Sequence, residues 1–276
     1  MKAHTAPQTR VADVQLEIAA PPDAVWRALT DATELTRWFP LEAGVNPDGT
    51  EWMAWRDQFR FSGRTDAAEP QRYLRSVPIL PPEFTPPVPM VTEFFLEAAR
   101  GSTVVRVVQS GFLADRSWDE EFDGVRRGWI FQLASLKHYL ERHRGTPRHV
   151  AWARKFIAVP QAEAWQRVSG PHGLGVNLAG AKSGDAVRFV TIDADSFECA
   201  LQMLNPPLDF SGVIANWNDA LLRVQFDHLP MRGYSDAQLW LATWGVPAAR
   251  VESLESRWTQ MLARLFPEPV MASAHP

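Results

Sequence analysis

Two segments of this chain repeat each other in order and kind, and the duplication restricts the fold more than any other feature. Ile18-Ala-Ala-Pro21 followed by Trp26 returns as Ile157-Ala-Val-Pro160 followed by Trp165, with the three anchors 139 residues apart (157 − 18, 160 − 21, 165 − 26). Near the end of each half, Trp129, Leu133 and Leu136 match Trp258, Leu262 and Leu265 at a separation of 129 (258 − 129, 262 − 133, 265 − 136). Each half therefore carries a strand-to-helix junction and, further on, an amphipathic helix. The sequence reads as two copies of one domain, the second shorter between its markers by 10 residues (139 − 129). A length of 276 residues suits two domains of common size, each with its own core.

Composition decides what kind of chain this is. With 46% hydrophobic and 22% charged residues it has enough apolar side chains for two globular cores. A net charge of −4 provides no basic face of the kind nucleic acid requires. No stretch approaches the roughly 20 apolar residues of a membrane span, and Met1-Lys-Ala-His-Thr-Ala-Pro lacks the apolar stretch of a secretory signal. The single cysteine, Cys199, has no internal disulfide partner and fits a reducing compartment. Its position in the alternating Ser196-Phe-Glu-Cys-Ala-Leu makes it a small buried strand residue. These features predict a cytoplasmic protein without cofactor or metal. The 12 Trp and 22 Pro promise broad apolar surfaces and stiff loops.

Along the first half, Val14, Leu16 and Ile18 alternate with Asp13, Gln15 and Glu17, the pattern of a strand with one buried face. Pro21-Pro-Asp ends it and opens a short helix with Val25, Trp26 and Leu29 on its apolar side. Asp31 and Glu34 form a capping-box pair for a second short helix carrying Leu35, Trp38 and Phe39 before Pro40. Strand patterns then follow one another to residue 112, including Phe59 and Phe61 on one face and a hairpin turning at Arg100-Gly-Ser102. Short connections imply an antiparallel sheet. Between these strands lies Pro78 to Pro89, too poor in amide hydrogens for a central strand and read as a stiff loop or docking segment. Ser117 and Glu120 suggest a capping box for a long helix striped by Phe122, Val125, Trp129, Leu133, Leu136 and Leu140.

The second half follows this plan less faithfully. A strand to Val159 and a helix from Gln161 are followed by Ser169-Gly-Pro-His-Gly-Leu-Gly, where no second helix is legible. Strands are expected at 186–192, 196–204, 213–217 and 221–226. Ser235 and Gln238 suggest another capped helix, interrupted by Gly245-Val-Pro247, before the final helix with Val251, Leu254, Trp258, Met261, Leu262 and Leu265.

This order of elements resembles the helix-grip fold of the START-like, or SRPBCC, superfamily. Ile18-Ala-Ala-Pro-Pro-Asp-Ala-Val-Trp-Arg-Ala-Leu-Thr-Asp, Leu35-Thr-Arg-Trp-Phe-Pro, Phe61-Ser-Gly-Arg, Glu69-Pro-Gln-Arg-Tyr-Leu, Val107-Val-Gln-Ser-Gly-Phe and Gly128-Trp129 are similar to its activator-of-heat-shock-protein-ATPase-like branch. The resemblance implies an α+β protein of two tandem helix-grip domains, 10–145 and a divergent 150–267. Each would be a curved antiparallel sheet wrapped on a long C-terminal helix, with a cavity between them. Members include apolar-ligand carriers, polyketide cyclases and co-chaperones, so the fold alone does not choose a function.

A first-domain cavity would be lined by Trp38, Phe39, Phe59, Phe61, Phe94, Trp129 and Leu133, which suits a small hydrophobic or aromatic ligand. The same aromatic pattern also serves an ordinary filled core. Catalytic signals are sparse. The histidines are scattered: His138 and His143 read as a cationic helix end, and no His-Glu-x-x-His spacing occurs. Gly170-Pro-His-Gly-Leu-Gly lacks the Gly-Lys-Ser/Thr of a phosphate loop, and no Gly-x-Ser-x-Gly is present. The leading expectation is non-enzymatic binding of a small hydrophobic molecule. Alternatives are a protein-interaction module docking through the proline segment, and a cyclase-like or hydrolase-like enzyme with an ionisable group in the cavity.

Overall fold

The computed structural model describes residues 7–80, 88–229 and 233–267. Residues 81–87 of the proline segment, together with His4 and His275, fall outside them. The chain divides between Thr146 and Pro147 into two compact units.

The first unit runs β1 (Thr9–Ile18), α1 (Pro22–Thr30), α2 (Ala32–Leu35), β2 (Glu42–Val45), β3 (Glu51–Trp55), β4 (Phe59–Glu69), β5 (Tyr73–Ile79), β6 (Val91–Ala99), β7 (Ser102–Leu113) and α3 (Asp119–Arg142). Its seven strands lie in the order β1-β7-β6-β5-β4-β3-β2, so the first strand pairs with the last. All the pairings are antiparallel. Alternation decides the faces. Ala12, Ile18, Phe94, Leu96, Val105 and Val107 are buried beneath α3, while Asp13, Gln15 and Glu17 point outward. Along α3, Phe131, Leu133, Leu136, Tyr139 and Leu140 are buried, whereas Phe122, Val125 and Trp129 in its first half are only partly covered. The filled core thus lies under the C-terminal half of the helix. Glu141 ties that end to the sheet by accepting from the Ala19 N–H at 2.7 Å, and Lys137 Nζ donates to the Glu17 carbonyl at 2.7 Å.

The second unit contains β8 (Arg148–Phe156), α4 (Gln161–Ser169), β9 (Ala186–Val190), β10 (Ser196–Asn205), β11 (Asp209–Ile214), β12 (Ala220–Leu229), β13 (Tyr234–Trp244) and α5 (Ala248–Leu265). Its sheet order is β8-β13-β12-β11-β10-β9, again with first and last strands paired. Both units therefore wind the same way. Each is an antiparallel sheet held by a long C-terminal helix, and the chain is α+β with two helix-grip units in tandem. The second has one strand fewer, and a loop stands where α2 stands in the first.

Several local expectations need correction. The strand expected at 213–217 lies at Asp209–Ile214, and Ala215–Trp217 is a 3-10 turn. The Ser235 and Gln238 pair caps no helix, because residues 234–244 form β13, central in its sheet between β12 and β8. Ala237, Leu239 and Leu241 on one face are fully buried, and this two-residue period outweighs the capping signal. At the start of α3, Ser117 does not cap. Asp115 accepts from the Ser117 N–H at 2.9 Å and caps a 3-10 turn, and α3 begins one turn later with three acids in its first turn. Finally, α2 ends at Leu35, short of Trp38. Its cap is the expected Asp31, whose carboxylate accepts from the Glu34 N–H at 2.9 Å.

Candidate functional site

Five elements of the first unit bring aromatic rings into one continuous file. Phe94 on β6 meets Trp129 on α3 edge-on at 5.5 Å, and Trp129 meets Phe39, just after α2, at 5.7 Å. Phe39 contacts Trp55 at 5.4 Å, and Trp55 stacks on Phe59 at 4.7 Å across the β3–β4 turn. Phe61 closes the file at 5.3 Å from Phe59 and 6.0 Å from Trp55. Exposure changes along it. Phe94 and Trp55 are 8% exposed, Phe39 and Trp129 are half-buried, and Phe59 and Phe61 are 36% and 39% exposed. A filled core covers all its rings. This file runs from the interior to solvent.

Five of the seven residues named from sequence, Phe39, Phe59, Phe61, Phe94 and Trp129, thus belong to one surface. Trp38 and Leu133 lie in the filled interior, at 1% and 0% exposure. Trp38 stacks under Phe39 at 5.3 Å, its indole N–H donates to the Ala28 carbonyl at 2.7 Å, and its carbonyl accepts from the Ser135 hydroxyl at 2.8 Å. These bonds hold the backbone that presents Phe39. A second tie joins the α2 segment to α3. The Tyr139 hydroxyl donates to Glu34 Oε2 at 2.6 Å, and Arg37 Nη1 donates to Glu34 Oε1 at 2.8 Å and to the Tyr139 oxygen at 3.3 Å. Burial raises the phenol pKa of Tyr139, and the bond to Tyr139 raises that of the Arg37 guanidinium, so both groups keep their protons near neutral pH.

Sequence reasoning missed two residues. Trp55 was legible only as a strand residue, because its partner Phe59 is brought to it by the hairpin. Gln109 was legible in principle, since it falls two residues after Val107 on the inward side of β7, where an apolar residue is the rule. Its Oε1 accepts from the Trp129 indole N–H at 2.6 Å, which fixes the indole at the middle of the file.

Residues 19–141 match the sequence family described as activator of Hsp90 ATPase homolog 1-like protein. This stretch runs from the end of β1 to the end of α3. The first unit is a domain of that family. No curated protein matches the chain. Among solved structures, a Mesorhizobium loti protein is 25% identical, with 49% of this chain and 99% of that chain covered and a TM-score of 0.42. The Aha1 dimer from Colwellia psychrerythraea is 20% identical over 49% of this chain and 99% of its own, at a TM-score of 0.43. The di-domain ARO/CYC protein BexL from the BE-7585A biosynthetic pathway is 16% identical over 93% of this chain and 95% of its own, with a TM-score of 0.43.

In the activator-of-Hsp90-ATPase-like domain the other face of the sheet is polar. It holds a shallow groove of about 620 Å³ lined by Gln15, Tyr73, Phe95, Arg106 and their neighbours. Arg106 is bidentate to Asp13 there, and the Tyr73 hydroxyl donates to Glu93 at 2.6 Å, a bond that pushes the phenol pKa up to about 12. The second unit gathers its rings differently. Phe189, Phe197, Trp217 and Trp258 stack together with exposures of 3% or less, and Cys199, 2% exposed on β10, has its thiol pKa pushed up to about 12 by burial. Among the described residues, no three His, Cys, Asp or Glu side chains are grouped to hold a metal, and no helix is long and apolar enough to cross a membrane.

Proposed function

We propose that the first unit binds a small, flat, apolar or aromatic molecule against the Phe39, Trp129, Trp55 and Phe61 surface. The observation that carries this reading is one continuous file of rings in which Trp129 and Phe39 are half-buried and Phe59 and Phe61 are 36% and 39% exposed, while Phe94 and Trp55 are covered at 8%. Ring faces left half-covered inside a sheet-and-helix unit offer stacking area to a planar partner. The amide of Gln109 supplies a polar group beside Trp129, where a planar ligand would stack. Native mass spectrometry with a panel of lipids and aromatic metabolites tests the reading. Retention of flat aromatics, lost on Trp129→Ala, supports it; a panel that leaves the mass unshifted rejects it.

A second reading, a protein-docking surface, draws on Phe59 and Phe61, which share one face of β4 and are 36% and 39% exposed. Exposed apolar rings on one sheet face suit a partner's apolar side chains. A chain that retains no flat aromatic molecule yet captures a partner protein, and loses it on Phe61→Ser, would favour this reading.

A further inference from the structure

The indole N–H of Trp129 is a donor with no acceptor capacity, so the Gln109 side chain has to present Oε1 to it. That single bond settles which way the carboxamide faces. Its Nε2–H2 group is left pointing away from Trp129 as a pair of donors, and among the described residues nothing accepts from it. Valine side chains at the preceding inward positions of β7, Val105 and Val107, are 0% exposed, while Gln109 is only half-buried. Thr92 stands directly opposite it on β6. A donor pair fixed beside a half-open aromatic ring is a built acceptor-binding position, because its direction is set before any ligand arrives.

We propose that Gln109 is the specificity-determining residue of this surface and selects flat aromatic ligands bearing a carbonyl oxygen, to which its Nε2–H2 donates. The proposal rests on the ligand-binding reading of the first unit. No bond is made or broken. The ring system stacks on Trp129 and Phe39 while the oxygen takes the amide donor. A ligand without that oxygen leaves the amide to water and loses the bond, whereas an anionic ligand gains no cation from the file.

Equilibrium dialysis of the full chain against fluorene and 9-fluorenone tests this, since the two probes share one shape and differ by a single carbonyl. Wild-type protein is expected to bind 9-fluorenone about tenfold more tightly, the size of one hydrogen bond. Gln109→Glu at pH 8 still accepts from Trp129 but donates nothing, so the ratio should fall to one or below while fluorene affinity is kept. Should that variant lose fluorene as well, the ratio is read from Gln109→Met, which fills the same space without either polar group. Equal wild-type affinities for the two probes, or a preference that survives in the variant that still binds fluorene, overturn the role of Gln109 and leave the ligand site standing. Binding of neither probe to wild-type protein overturns the ligand reading itself and this role with it.

Discussion

The two units share a winding and differ in what they do with aromatic rings. In the first, the file from Phe94 to Phe61 leaves Trp129 and Phe39 half-buried and Phe59 and Phe61 exposed. In the second, Phe189, Phe197 and Trp217 stack face to face, with Trp258 tilted against Phe197, within a closed core. The difference has a local cause. After α1 the first unit makes α2, a helix with no buried residue, and then sets Phe39 at the surface of the file. After α4 the second unit turns at once: the N–H groups of Leu174 and Val176 donate to the carbonyls of Val168 and Ser169, and both side chains drop into the core at 0% and 5% exposure. An inserted turn fills what a helix leaves open. One architecture thus yields a closed body and an open one.

If this contrast is correct, substitutions should cost stability in the second unit and binding in the first. The largest effect is expected for Trp258→Ala, where a fully buried ring leaves a cavity and the urea unfolding transition should lose about 3–5 kcal/mol. Gly173→Ala comes next. A Cβ there would stand 2.2 Å from the Val168 carbonyl oxygen, so the turn that plugs the second core has to shift, at a cost of about 1–3 kcal/mol by the same measurement. Phe59→Ala in the first unit removes a ring stacked on Trp55 but 36% exposed, and should cost no more than about 1 kcal/mol while weakening ligand binding. A cost as large as that of Trp258→Ala would show that the file is an ordinary core and break the contrast.

The smallest effect is one of pH. Burial raises the Glu141 carboxyl pKa, but the Ala19 N–H and Lys137 outweigh it and hold the group below its ordinary value of 4.5. A depressed folded-state pKa means its contribution is present above about pH 4.5 and is lost as pH falls through the lower folded value. Glu141→Gln should therefore flatten the fall in first-unit stability between about pH 5 and pH 3, by less than about 1 kcal/mol, in denaturation series at stepped pH. An unchanged slope would remove the tie between Glu141 and Ala19 from the account.

The tandem architecture was legible because its markers are strong local signals. A proline at a helix start five residues before an anchoring tryptophan (26 − 21, 165 − 160), and an apolar stripe on a long helix, survive divergence. The helix stripe did not report which half is filled: Leu133, Leu136 and Leu140 are buried, while Phe122, Val125 and Trp129 are only partly covered. What misled was competition between local and non-local forces. Ser235 and Gln238 carry a plausible cap, yet pairing of β13 on both sides decides the segment, and no local pattern reports a partner strand. The candidate site was legible in its rings and not in its connectivity. Phe39, Phe94 and Trp129 come from three distant segments, and only the register of β6 with β7 sets Phe94 and Gln109 on one face. Trp55 joins them through a hairpin turn whose Arg56 adopts a positive φ of 56°, a conformation the residue type does not announce.

The central claim is that the aromatic file of the first unit is open to a ligand while the Phe189 to Trp258 stack of the second is closed. Nitrogen-15 spectra of the tryptophan indoles, titrated with a flat aromatic such as 9-fluorenone, observe both units in a single sample of the full chain. The indole signals of Trp129 and Trp55 should shift while those of Trp217 and Trp258 stay in place. Shifts confined to Trp217 and Trp258, or none at all at saturating probe, would contradict it.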